Sequence, residues 1–133
     1  MLASAIAVVD KAFEAGANIM LPLFSGGHDS LCACFVASRH SRFTGNVHHI
    51  DTGIGAKATW AFIEKICLEY EWNLNVYKSN FSYEKFVRRY GFPGPGLHQW
   101  VYNRLKGRCI STMAKGLGPV MLLTGCRKQE STR

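Results

Sequence analysis

The sequence predicts an α/β protein: an open parallel sheet with helices on both faces. Two observations carry that prediction. Short apolar runs alternate with stretches of helical period, the pattern of β-strand–helix–β-strand crossovers. The apolar run of residues 19–24 also stops at Ser25, passes through Gly26 and Gly27, and gives way to a helical pattern at Asp29. A buried strand feeding a glycine turn and a helix start is a junction found in parallel sheets.

The elements follow in order. Leu2, Ile6, Val9 and Phe13 recur at helical spacing and predict a first helix over about residues 3–15, with Gly16 to end it. Strand one is predicted over about residues 18–24, although Pro22 cannot donate to a ladder. Helix two runs from Asp29 to about His40, with Leu31, Cys34 and Phe35 inward. Strand two covers about 46–50 and ends in the turn signal Asp51-Thr52-Gly53. Helix three spans about 56–71 on a stripe of Trp60, Ile63, Cys67 and Tyr70, and strand three about 73–78. A helix over 83–90 precedes the breaker Gly91-Phe92-Pro93-Gly94-Pro95-Gly96. Two separate helical pieces are expected over 97–106 and 109–115, then strand four over 119–124. The last residues, 125–133, read as a loop opening a further helix that the chain does not reach, as in a truncated domain.

The bulk properties narrow the function classes. At 133 residues and 47% apolar content the chain reads as a single domain, residues 1–133, with a real core. No apolar run approaches the ~18 residues of a membrane span. The apolar stretch 2–7 lacks a basic flank and is not expected to be a signal peptide. Five cysteines, at 32, 34, 67, 109 and 126, include no Cys-x-x-Cys pair. Free thiols, no self-contained metal site and a cytoplasmic location are expected. Cys32 and Cys34 are placed in a buried helix, and His48 and His49 are read as structural. Charge is unevenly spread: residues 85–133 hold ten basic residues against Glu130 alone, net +9, while residues 1–84 are net −2. The second part therefore faces an anion, either a nucleotide or, weakly, a nucleic acid.

Ser25-Gly26-Gly27-His28-Asp29-Ser30 carries the chemistry. The first amides of a helix lack internal partners, and the helix dipole adds positive potential there, so phosphate or sulfate is the expected ligand. The glycines allow a sharp turn and close approach, and Asp29 and Ser30 are candidate caps. The string is neither Gly-x-x-x-x-Gly-Lys-[Ser/Thr] nor Gly-x-Gly-x-x-Gly. Cys109, flanked by Lys106 and Arg108, is a candidate reactive thiol if those cations lower its pKa, or else a buried inert one. His98, Tyr102, Arg104 and Lys106 fall on a Gly/Pro-flanked helix, read either as a lid or as an ordinary surface helix.

The loop resembles the PP-loop, Ser-Gly-Gly-x-Asp-Ser, of the ATP-pyrophosphatase and PAPS reductase group. Ile50-Asp51-Thr52-Gly53, Arg108-Cys109 with Lys115, and Gly125-Cys126-Arg127-Lys128-Gln129-Glu130-Ser131 are similar to further motifs of that family, in its phage or microbial form. The resemblance implies an adenine nucleotide alpha hydrolase-like fold with strand order 3-2-1-4. It implies nucleotide contacts from Ser25, Gly26, Gly27, His28, Asp29, Ser30, Asp51, Gly53, Gly125, Arg127 and Glu130. Arg127 is then a candidate for neutralising charge on a phosphate, and Asp51 either meets a ribose or caps a turn.

Three departures stand out. His28 occupies the position where the family's loop commonly has lysine. A Glu-Cys-Gly-type nucleophile segment is not seen, nor are paired cysteines for an iron–sulfur cluster. The implied ligand is ATP, APS or PAPS, with Mg²⁺ expected only alongside ATP and Asp29 its nearest carboxylate. The leading reading is a PAPS reductase-like protein performing group transfer at a bound phosphate or sulfate, with a homodimer partner or another subunit to supply electrons. The alternatives are an ATP-pyrophosphatase that thiolates tRNA or other nucleic acid, and a non-catalytic nucleotide-binding subunit.

Overall fold

The computed structural model describes residues 1–126. Its elements are α1 (Leu2–Glu14), β1 (Ile19–Pro22), α2 (His28–Ser38), β2 (Asn46–Asp51), α3 (Lys57–Glu69), β3 (Asn73–Lys78), α4 (Tyr83–Tyr90), α5 (Pro95–Tyr102), a π-helical turn (Asn103–Gly107), α6 (Arg108–Ala114) and β4 (Val120–Leu123). Among the described residues, no helix is long and apolar enough to cross a membrane.

The strands run parallel. β1 pairs with β4, Ile19 opposite Val120, and β2 pairs with β3, Asn46 opposite Asn73. Between β1 and β2 there is one bridge, Leu23 to His48, rather than a ladder. Pro22 accounts for this. Leu23 N–H donates to Leu123 O (2.9 Å) and Phe24 N–H to His48 O (2.8 Å), so successive nitrogens aim at opposite neighbours. Alternation points position 22 at β2, and proline has no N–H to give. The conflict noted in the sequence is thus resolved by shortening the strand.

Helices cover both faces. On one face α1, α2 and α3 pack on the sheet: Phe24, Cys34, Val47, Ile63, Cys67 and Trp72 form one buried cluster, and Val9, Met20 and Ala37 another. On the other face α6 presses Cys109 and Met113 onto Leu21, with Leu23, Ile50 and Tyr77 around them. Burial of each large aliphatic or aromatic side chain contributes about 1.5–3 kcal/mol. His40, at the end of α2, ties α1 down through its Nε2 contact to Asp10 Oδ1 (2.9 Å) and its stacking on Phe13.

Several local expectations are corrected. The helical pieces expected at 97–106 and 109–115 are one continuous run from Pro95 to Ala114, joined through the π turn. Pro95 takes the first helical turn, where its missing N–H costs nothing. In α3 only Ile63 and Cys67 of the expected stripe are buried, while Trp60 and Tyr70 lie at the surface. Cys32 is exposed rather than buried with Cys34.

Candidate functional site

The chain leaves β1 through Leu23 and Phe24 and turns at Ser25. Gly26 sits at φ +87°, and a Cβ there would come within 2.6 Å of Thr59 Cγ2 and 3.3 Å of Ile63 Cδ1. Only glycine fits this turn without strain. Gly27 differs: it has φ −90° and ψ 159°, and a Cβ would meet nothing nearer than Ser25 Oγ at 3.8 Å. Its lack of a side chain therefore leaves room beside the loop rather than relieving the backbone.

Ser30 locks the turn. Its buried hydroxyl accepts from Ser25 N–H (3.2 Å) and Ser25 Oγ–H (3.0 Å) and donates to Gly27 O (2.9 Å). It does not cap α2. Gly27, which has no side chain to cap with, is the N-cap residue, and the helix begins at His28. Leu31 N–H is the first to reach back to the Gly27 carbonyl, at 3.0 Å. The amides before it have no partner within the helix, the geometry of an anion site, and the Ser25 and Ser30 hydroxyls hold the loop in shape.

Gly125, after β4, completes this corner. A Cβ on it would overlap the backbone of Asp29 and Ser30. The β4 exit therefore packs directly against the start of α2, across the β1–β4 pair.

Together these segments bound an open cleft of about 810 Å³ at the carboxyl ends of the strands. Of the sequence-predicted residues, Ser25, Gly27, His28, Asp29, Ser30, Asp51 and Gly125 line it. Gly26 and Gly53 act behind the wall, through the turn and through Asp51 respectively. Arg127 and Glu130 lie outside the described residues. Asp51 accepts from Gly53 N–H (2.8 Å) and approaches Lys78 Nζ (3.4 Å). The amide bond chiefly, and the ammonium beside it, hold its carboxyl below the usual range. Asp51 therefore caps its own turn while remaining on the cleft rim.

Of the two readings of Cys109, the geometry fits the buried one. It is buried, its Sγ donates to Leu105 O (3.5 Å), and burial pushes its thiol pKa up despite Lys106 and Arg108 in the chain beside it. Basic neighbours in sequence do not activate a thiol that packs on Leu21 and Met113. The cysteine on the cleft is Cys126, exposed beside Gly125.

Residues read as structural or left open also reach the cleft. His49 Nδ1–H donates to Phe24 O (2.8 Å), which leaves Nε2 as the free ring acceptor in the neutral form, and its ring packs on Trp60 at 5.6 Å. His48 is buried, with Nδ1 lacking a partner, and burial lowers its pKa. Tyr102 and Lys106 line the cleft from the other face of the sheet, whereas His98 and Arg104 do not. Lys57 and Trp60 join from α3. Histidines in a strand gave no sequence signal of this placement, because no partner at ligand spacing marked them. Among the described residues no group of three or more His, Cys, Asp or Glu is placed to hold a metal.

The match to known proteins follows the same segments. The profile of the phosphoadenosine phosphosulfate reductase domain matches residues 19–133. Among solved structures, the fold is similar to that of a phosphoadenylyl-sulfate (PAPS) reductase from Candida auris in a phosphate complex, with a TM-score of 0.65 and 22% identity. That likeness, which is one of fold, covers 93% of this chain and 61% of the reductase, so the chain spans about 61% of that protein's length. No curated protein matches. The family match begins at Ile19, the first residue of β1, and takes in the glycine loop, both rims of the cleft and the Gly125 corner: the chain belongs to the phosphoadenosine phosphosulfate reductase domain family.

Proposed function

We propose that the cleft binds an adenine nucleotide or sulfonucleotide (ATP, APS or PAPS) and supports group transfer at its phosphate or sulfate, as a PAPS reductase-like domain. The observation that carries this reading is the preorganised Ser25–Ser30 turn at the start of α2, held by the Ser30 hydroxyl and roofed by Gly125. The phosphate or sulfate lies against the first amides of α2, where helix dipole and backbone donors stabilise charge without reorganising. Asp51 and the Nε2 of His49 offer acceptors for ribose or base groups along the cleft wall. Arg127 follows Cys126 directly and is the natural partner for the charge that develops on the transferred group. A Mg²⁺ arriving with ATP would take most of its ligands from phosphate and water, with Asp29 the carboxylate of the loop.

The test uses Gly27→Val, because a Cβ there meets nothing nearer than Ser25 Oγ at 3.8 Å and projects beside the loop. Calorimetric titration of ATP, APS and PAPS is expected to give binding to wild type and at least a tenfold loss in the variant, ~1.4 kcal/mol or more. An unchanged urea midpoint shows that the loss is not unfolding. Equal affinity of the two proteins for all three ligands refutes the loop as the site.

A further inference from the structure

The buried positions of the long helical run repeat every four residues: Val101, Leu105, Cys109 and Met113. A regular α-helix turns in 3.6 residues, so each four-residue step overshoots by about 40°, and three steps drift by about 120°. A straight helix would rotate such a stripe off the core. Here the π turn intervenes: Arg108 N–H bonds Asn103 O, five residues back. The wider turn takes up the drift. Contacts fill the opened register, since Ser79 Oγ–H donates to Arg104 O (2.6 Å) and Cys109 Sγ–H to Leu105 O (3.5 Å). The same correction keeps a second stripe, one residue further on, facing one way. That stripe is Tyr102, Lys106 and Ile110, and all three line the cleft.

The loop Ser25–Ser30 contains no lysine or arginine, and of the carboxylates on the cleft wall Asp51 already stands beside Lys78. Among the described lining residues, the permanent cations are Lys57 and Lys106. Lys106 Nζ stands 5.7 Å from the centre of the Tyr102 ring, which orients the ammonium without neutralising it. It comes from the helical layer on the face of the sheet opposite α2 and α3, so it closes on the cleft from the far side of the glycine loop.

We infer that Lys106, aimed by the π turn and backed by Tyr102, is a ligand-binding cation that pairs with an anionic group of the bound nucleotide from the wall facing the Ser25–Ser30 loop. This rests on the nucleotide reading above and adds a specific residue to it. The test is titration of ATP and PAPS into wild type, Lys106→Ala, Lys106→Met, Lys106→Arg and Gly27→Val, with urea midpoints alongside. Lys106→Ala and Lys106→Met are each expected to weaken binding about tenfold, a loss that shrinks at high salt. Lys106→Arg, which keeps the charge, stays within about threefold of wild type. Wild-type affinity in Lys106→Ala, or in Lys106→Met where only the stem remains, overturns the inference. If Gly27→Val still abolishes binding in that case, the nucleotide reading stands. If Gly27→Val binds like wild type, the loop reading fails whatever Lys106 does, and if neither nucleotide titrates wild type both fall.

Discussion

Replacing Gly26 or Gly27 with alanine adds the same methyl group one residue apart, and the two outcomes should differ sharply. At Gly26 the residue must hold φ +87°, and the new Cβ lies 2.6 Å from the Thr59 methyl and 3.3 Å from Ile63. The left-handed backbone costs an L-residue about 1–2 kcal/mol. Crowding against α3 adds about 1–3 kcal/mol, because Thr59 is β-branched and turns away only by changing rotamer. The sum, about 2–5 kcal/mol, is a large part of the ~5–15 kcal/mol that holds a domain together. At Gly27, with φ −90° and only an ordinary contact to Ser25 Oγ at 3.8 Å, the change is expected to stay within about 0.5 kcal/mol. Urea unfolding followed by far-UV circular dichroism and by the fluorescence of the three tryptophans measures both. Gly26→Ala should lower the midpoint by about 1–3 M. A second substitution, Thr59→Ser, removes the crowding methyl and should recover that part of the loss, leaving the backbone cost. Midpoints for Gly26→Ala and Gly27→Ala that agree within about 0.2 M would refute the reasoning.

Two further outcomes follow from single side chains. Ser30→Ala removes one acceptor of two bonds and one donor, and should cost about 1–3 kcal/mol while speeding hydrogen exchange at the Ser25 amide; unchanged exchange there would show that Ser30 does not hold the loop. His48 is buried with an unpartnered Nδ1, and its pKa is lowered from 6.5, so the unfolded chain takes up its proton first. Its contribution is therefore complete above about pH 6.5 and is lost as pH falls from there through the lower folded value. His48→Leu should flatten the urea midpoint across that window and leave stability at neutral pH equal or higher, and a midpoint that still falls as steeply in the variant would assign the dependence to another group.

Much of this protein was legible in its residues alone, because the signals are local. The strand–glycine–helix junction at 19–30, the helical period of α1, the run of β3 and the basic imbalance after residue 84 each arise within a short stretch of chain, and the parallel α/β class follows from their alternation. The loop motif located the cleft for the same reason: an anion site at a helix start needs only neighbours in sequence. What depends on the stacking of distant segments was decided by tertiary structure. Gly26 rather than Gly27 needs to be glycine for the turn, because α3 lies against it. Gly125 is glycine because the β4 exit meets the start of α2, about a hundred residues earlier in the chain. Cys109 is buried and Cys32 exposed because α6 buries one face of its run and α2 turns its own face outward. Tyr102 and Lys106 reach the cleft because a π turn, favoured by burial of a four-residue stripe rather than by any residue's own propensity, re-aims a helix that the sequence divides in two. Local period and turn chemistry are written along the chain; burial, close backbone approach and the direction of a side chain are set by what lies across from it.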